Sequence, residues 1–263
     1  MKADKSLGQH FLRDAEVLAD IAALTDVEHS GGVLEIGPGE GALTAYLVRA
    51  GRVVKAIDAD VRAVGTLRAR FGDKIDVVLG DAVTADLGAL LPVGGTSLPV
   101  IVGNLPYNAA SAIHRRVLGL GGRIARAVFM FQKEVAERIV SGPRGRDYGT
   151  PSILTAVSAK AYLVREVPPE AFSPRPKVDS AVVLVEPRKD PLVPSAELEA
   201  FGDFLGEVFR HRRKTLANAL SERARAALDA VGIDPKRRAE EVSPEELVAM
   251  WRTWQSIAES PRA

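Results

Sequence analysis

Short apolar runs alternate with stretches that carry apolar residues at helical spacing through the first half of the chain. Residues 32–36, 53–57, 75–79, 100–102 and 127–131 are apolar almost throughout, which predicts strands covered by helices on both faces. Residues 43–49, 63–71 and 111–118 between them predict helices, so the segment reads as βαβ units around a parallel sheet. Two further strands, 161–167 and 181–185, flank a proline-rich segment at 172–177 and predict an antiparallel edge on that sheet. After Arg188-Lys189-Asp190-Pro191 the pattern turns helical only, over 195–209, 215–228 and 244–254. Ser243-Pro244-Glu245-Glu246 starts the last of these with a capping serine, a proline at the first position and a glutamate three residues on. The expected organisation is an α/β domain over residues 1–188 and a small helical domain over 189–263.

Composition narrows this little. The 263 residues are 46% hydrophobic and 26% charged, ordinary for a globular protein. The absence of cysteine excludes disulfides, a thiolate nucleophile and a cysteine-based metal site, and no metal site is expected. The charged start Met1-Lys2-Ala3-Asp4-Lys5 leads into no apolar stretch, and no window is long enough to span a membrane, so a cytoplasmic protein is expected. The net charge of +1 conceals an uneven distribution. Residues 1–100 hold ten basic and fourteen acidic side chains, whereas 101–146 hold eight basic and two acidic. Such a basic segment suits a polyanion, although a solvated face explains it equally well.

Candidate chemistry begins at Val33-Leu34-Glu35-Ile36-Gly37-Pro38-Gly39-Glu40-Gly41, a strand running into a glycine turn and then a helix. Taken alone, the loop fits a tight structural turn, a dinucleotide fingerprint completed by Ala42, or a methyltransferase. Two acids downstream shift the balance. Asp58 ends the second strand, where a carboxylate can accept both ribose hydroxyls of a nucleoside, and Asp81 ends the third, where it could accept from an adenine amine. With Glu35 they make three acids at successive strands, a setting that suits a cationic sulfonium better than a pyrophosphate.

Gly103-Asn104-Leu105-Pro106-Tyr107-Asn108 follows the fourth strand and is the most specific signal. An adenine amine is a poor nucleophile because its lone pair is delocalised into the ring. Acceptors that hold its two hydrogens bias the nitrogen toward tetrahedral geometry, and the Asn104 side-chain oxygen and Leu105 carbonyl can supply them. Pro106 stiffens the turn, and Tyr107 offers a face for an extruded base.

This motif resembles that of the ribosomal RNA adenine dimethyltransferases, in particular the branch acting on the small subunit. Lys5-Ser6-Leu7-Gly8-Gln9-His10-Phe11-Leu12 resembles the family's N-terminal motif. Phe172-Ser173-Pro174-Arg175-Pro176-Lys177-Val178-Asp179-Ser180-Ala181-Val182-Val183 resembles its late catalytic segment, and Arg212-Arg213-Lys214-Thr215-Leu216-Ala217-Asn218-Ala219-Leu220 its C-terminal domain. The resemblance implies a Rossmann-like class I fold binding S-adenosylmethionine, with His10, Leu12, Gly37, Asp58, Asp81 and Asn104 against the cofactor; Glu35 and Gly39 of the glycine loop join that candidate set. It implies that Phe172 stacks on the target adenine opposite Tyr107, and that Asn104, Leu105, Pro106 and Tyr107 form the catalytic turn. It implies a substrate too: two neighbouring adenosines near the 3′ end of 16S rRNA in the small subunit, each converted to N6,N6-dimethyladenosine. Asp58 stands where the family usually has glutamate, and the segment before Lys5 is shorter than is common.

In this context Arg115, Arg116, Lys133, Arg144 and Arg146 of the basic segment, with Arg212, Arg213 and Lys214, become candidate phosphate contacts. A monomer is expected. The rival activities are a macrolide-resistance type methylase of 23S rRNA, a DNA adenine methyltransferase, and a small-subunit assembly factor in which methylation is secondary.

Overall fold

Five of the apolar runs form parallel strands of one seven-stranded sheet ordered β4-β3-β2-β5-β6-β9-β7. The computed structural model describes residues 9–25, 31–93 and 97–259. The parallel strands are β2 (Val33–Ile36), β3 (Val54–Asp58), β4 (Ile75–Leu79), β5 (Val100–Asn104) and β6 (Arg126–Gln132). β9 (Ser180–Pro187) runs antiparallel to β6, and β7 (Ala159–Val167) closes that edge. A separate two-stranded ribbon pairs β1 (Phe11–Leu12) antiparallel with β8 (Phe172–Ser173).

The order of strands decides where a ligand can sit. The chain steps outward from β2 to β3 to β4, then returns to start β5 on the other side of β2. The crevice beyond the carboxyl ends of β2 and β5 is therefore the switch point of the sheet, where open α/β folds bind ligands. Register places Ile36 opposite Ile57 and Glu35 opposite Val102, so the carboxyl ends of the three strands meet at one edge. The two central strands approach closely: a Cβ on Gly103 would lie 2.5 Å from the Ile36 carbonyl oxygen. Only glycine fits there.

Helices α2 (Ala42–Arg49), α3 (Val61–Phe71) and α4 (Ala110–Leu118) follow β2, β3 and β5 as the pattern predicts. Their buried faces, including Leu43, Leu47, Val64, Leu67, Ile113 and Val117, cover the sheet. Three helices were not evident in the pattern: α1 (Ala15–Leu24), α5 (Lys133–Val140) and α6 (Thr150–Ser158). α1 starts where the Asp14 carboxylate accepts from the amides of Glu16 and Val17. It buries Val17, Leu18 and Ile21.

The chain divides into two compact units, residues 1–137 with 160–187, and 138–159 with 188–263. Segment 138–159 thus clusters with the C-terminal helices, although its place in the sequence assigns it to residues 1–188. Within the second unit the Tyr148 hydroxyl donates to the Val242 carbonyl at 3.0 Å, and the Tyr148 ring meets Phe209 edge-on. α6 packs against α7 (Leu198–Val208) and α10 (Pro244–Glu259). The single helix expected over 215–228 is broken into α8 (Leu216–Ala219) and α9 (Glu222–Ala230). Leu220 turns extended, and the Ser221 hydroxyl caps α9 by accepting from Ala224 N–H at 3.3 Å. Among the described residues no helix is long and apolar enough to cross a membrane.

Candidate functional site

The switch point holds a cleft of roughly 940 Å³, its open mouth included. Its wall is built from the ends of β2, β3, β4 and β5 and from the segment before β1. Gln9, His10, Phe11, Gly37, Gly39, Asp58, Asp81, Asn104, Leu105, Pro106 and Tyr107 all line it. His10 and Asn104, 94 positions apart in the chain, thus meet at one place. Lys5 to Gly8 of the N-terminal motif lie outside the described residues.

Asp58 is buried at the end of β3. Its Oδ2 accepts from Gly39 N–H at 3.0 Å and its Oδ1 from Asp60 N–H at 2.8 Å. Burial raises the Asp58 carboxyl above its ordinary range, against these two donors. Each oxygen keeps a second lone pair for a ligand hydroxyl. Gly39 has φ 55°, and a Cβ there would stand 2.8 Å from the Phe11 ring, so the loop must be glycine to run beneath that ring. Asp81 is exposed at the cleft wall, where its Oδ1 accepts from Val83 N–H at 2.8 Å and its Oδ2 remains to accept from a ligand.

Asn104 ends β5. Its Nδ2 donates to the His10 carbonyl at 2.8 Å, which leaves Oδ1 as the acceptor. Leu105 is buried, and the residue after it is proline, which holds Leu105 extended. The Pro106 carbonyl accepts from Ala109 N–H at 3.0 Å, closing the turn into α4. Tyr107 is half-buried, its hydroxyl 2.8 Å from Ser180 Oγ on β9, and burial raises its pKa.

Three expected site residues stand elsewhere. Glu35 points behind the cleft rather than into it: only 2% exposed, it accepts a 2.6 Å hydrogen bond from the Thr44 hydroxyl of α2. Burial, with a smaller contribution from the Asp58 charge, pushes its carboxyl up to about 7. Leu12 and Phe172 face each other across β1 and β8, and both are buried in the hydrophobic core. Alternation along the ribbon buries Phe172 and exposes Ser173, and Phe172 is not among the residues lining the cleft. The ring stacked on Tyr107 is that of His10, with centroids 5.3 Å apart and planes at 28°.

Sequence reasoning gave no role to Gln9 or Phe11. Gln9 Nε2 donates to Asp60 Oδ2 at 3.2 Å, and Asp60 in turn caps α3. Asp60 carried a readable signal, an acid just before a helical pattern; Gln9 and Phe11 carried none apart from their neighbours.

The candidate RNA contacts divide between the units. Arg115 and Arg116 are exposed on α4, while Lys133 is engaged with Glu166 at 2.7 Å. In the second unit Arg144, Arg146, Arg213 and Lys214 are exposed. Arg212 donates to the Tyr148 carbonyl at 2.8 Å and lies 3.8 Å from Glu240, so part of its capacity is spent holding its own unit together.

The donor and acceptor set fits S-adenosylmethionine. A buried carboxylate with spare lone pairs stands at the end of β3, a second acid at the end of β4, and the glycine loop gives close backbone approach. The chain matches the sequence profile of the family described as ribosomal RNA adenine dimethylase over residues 1–256. It is 38% identical to the ribosomal RNA small subunit methyltransferase A of Myxococcus xanthus, over 96% of this chain and 91% of that one. It is 41% identical to the protein of the same name from Ralstonia nicotianae, over 95% and 89%. Among solved structures it resembles the 23S rRNA methyltransferase ErmE, with TM-score 0.67 and 28% identity over 93% of this chain and 99% of that one. A dimethyladenosine transferase from Plasmodium falciparum, 24% identical, shares the fold with TM-score 0.75 over 92% and 96%. Cleft, motif and full-length match agree: this chain belongs to the ribosomal RNA adenine dimethylase family.

Proposed function

We propose that this enzyme transfers methyl groups from S-adenosylmethionine to N6 of two adjacent adenosines near the 3′ end of 16S rRNA, giving N6,N6-dimethyladenosine during small-subunit biogenesis. The observation that carries this reading is the Asn104 amide, pinned through Nδ2 to the His10 carbonyl beside Leu105 and Tyr107, in the same cleft as Asp58 and Asp81.

S-adenosylmethionine supplies an electrophilic methyl group when bound. Asp58 would hold the ribose hydroxyls of the cofactor and Asp81 its adenine amine, while Gly37 and Gly39 would let the backbone approach. Asn104 Oδ1 and the Leu105 carbonyl accept the two N6 hydrogens of the target adenine and draw its lone pair out of the ring. Tyr107 supports the extruded base. As the N6–methyl bond forms, the sulfur–methyl bond would break and S-adenosylhomocysteine would leave. The methylated nitrogen becomes acidic enough to lose a proton to water, so no side chain need act as a strong base. Exposed Arg115, Arg116, Arg144, Arg146, Arg213 and Lys214 meet rRNA phosphates. The protein acts as a monomer, in the cytoplasm where subunits are assembled.

The test is to incubate the protein with labelled cofactor and either unmethylated small subunits or large subunits, then map the modified nucleotides. Dimethylated adjacent adenosines in 16S rRNA are expected. Label confined to the large subunit would overturn the assignment.

A further inference from the structure

The contacts of His10 do not match those of a residue that only touches a cofactor. Its backbone carbonyl accepts from Asn104 Nδ2. Its Nδ1 lies 2.8 Å from the Pro174 carbonyl, and because a carbonyl only accepts, Nδ1 carries the proton. That bond fixes the ring in an offset stack on Tyr107. The opposite constraint on Tyr107 comes from its hydroxyl, held at Ser180. An aromatic heterocycle therefore lies on the tyrosine, close to the amide of Asn104.

We propose that His10 is a surrogate for the target base: its imidazole occupies the face of Tyr107 that the extruded adenine takes, and must swing away before that adenine can reach Asn104. The inference rests on the reading of Asn104 and Tyr107 as the base-recognition pair. Its consequence is selectivity. Every adenine meets the same handicap in displacing the ring, about two- to tenfold, which docked phosphates offset for rRNA and which further weakens the already poor binding of a free nucleoside. The swing leaves the site's other anchor in place, because Asn104 is held by the His10 backbone rather than its side chain.

His10→Asn keeps a side-chain donor for the Pro174 carbonyl but removes the ring; His10→Phe keeps a ring. The competition that a stack of this kind imposes is about two- to tenfold. At saturating S-adenosylmethionine, His10→Asn should lower KM for unmethylated small subunits by about that factor. His10→Phe should leave KM at or above the wild-type value. The free protein gives an independent reading. With only four histidines in the chain, the His10 ring protons can be assigned by NMR, and their upfield shift should vanish in Tyr107→Leu. A KM that rises or does not move in His10→Asn would make His10 a fixed buttress and overturn the proposal. An unshifted His10 resonance in the wild type would do the same. Failure of the wild type to methylate adenine N6 would instead strike the function, leaving the ring contact to be judged by its resonance.

Discussion

Asp81 and Asp58 divide the work of a carboxylate differently. Asp81 stands exposed with one oxygen tied to Val83, whereas Asp58 is buried and braces the glycine loop through Gly39. Asp81→Ala should therefore cost mainly cofactor affinity: one charge-assisted hydrogen bond is worth about 1.5–3 kcal/mol, roughly ten- to a hundredfold in Kd. Calorimetry with S-adenosylmethionine checks this, and unchanged affinity would remove Asp81 from the site. Asn104→Ala should leave small-subunit affinity nearly intact and lower single-turnover methyl transfer by about two to three orders of magnitude, the usual cost of a lost transition-state acceptor. Equal rates would mean that the amine is held elsewhere. Glu35 carries the third residue-scale prediction. Its folded-state pKa is raised, so the folded protein binds a proton that the unfolded chain has released, and stability falls as pH rises from the ordinary carboxylate range toward 7. Glu35→Gln removes this dependence. The melting temperature of the variant relative to wild type should climb from pH 5 to pH 7 and level off above it; a difference independent of pH would show that Glu35 stays ionised.

Elements are held by contacts as local as these. β2 and β5 lie close enough that Gly103→Ala would drive a Cβ into the Ile36 carbonyl, a backbone atom that cannot step aside. Thermal unfolding should show a loss of about 1–3 kcal/mol, as for overpacked cores; an unchanged midpoint would mean that the two strands can part. At this scale the sequence was most legible where pattern and chemistry coincide. The buried parallel strands, the glycine loop after β2 and the Asn104 turn after β5 each announce themselves by a mostly apolar run ending in residues with a special task. α6 was hidden because it is buried on most sides and mixes Ser152, Thr155 and Ser158 with its apolar residues, so its pattern carries little periodicity. The break between α8 and α9 was hidden because Ser221 sits in a run whose helical spacing continues on either side. The burial of Phe172 was illegible for a related reason: its family motif suggests a base contact, while its place in the β1–β8 ribbon depends on Leu12, 160 residues away in the chain.

At the scale of the whole molecule, candidate phosphate contacts are supplied by both compact units, and their worth can be read from salt. Arg213→Ala should flatten the log–log dependence of small-subunit affinity on potassium chloride by about one, leaving cofactor affinity alone. A slope equal to wild type would place Arg213 in solvent. The path of the chain has its own consequence. It leaves the first unit after residue 137, returns at 160 and departs again after 187. Synthesis runs from the N-terminus, so α6, which buries Ile153, Leu154 and Val157, emerges well before α7 and α10, the helices of its own unit against which it packs. Until α10 has been made, that packing is incomplete. A ribosome that stalls beyond the catalytic strands thus releases no free-standing methyltransferase half, but a nascent chain with an open hydrophobic seam, the kind that chaperones and proteases recognise.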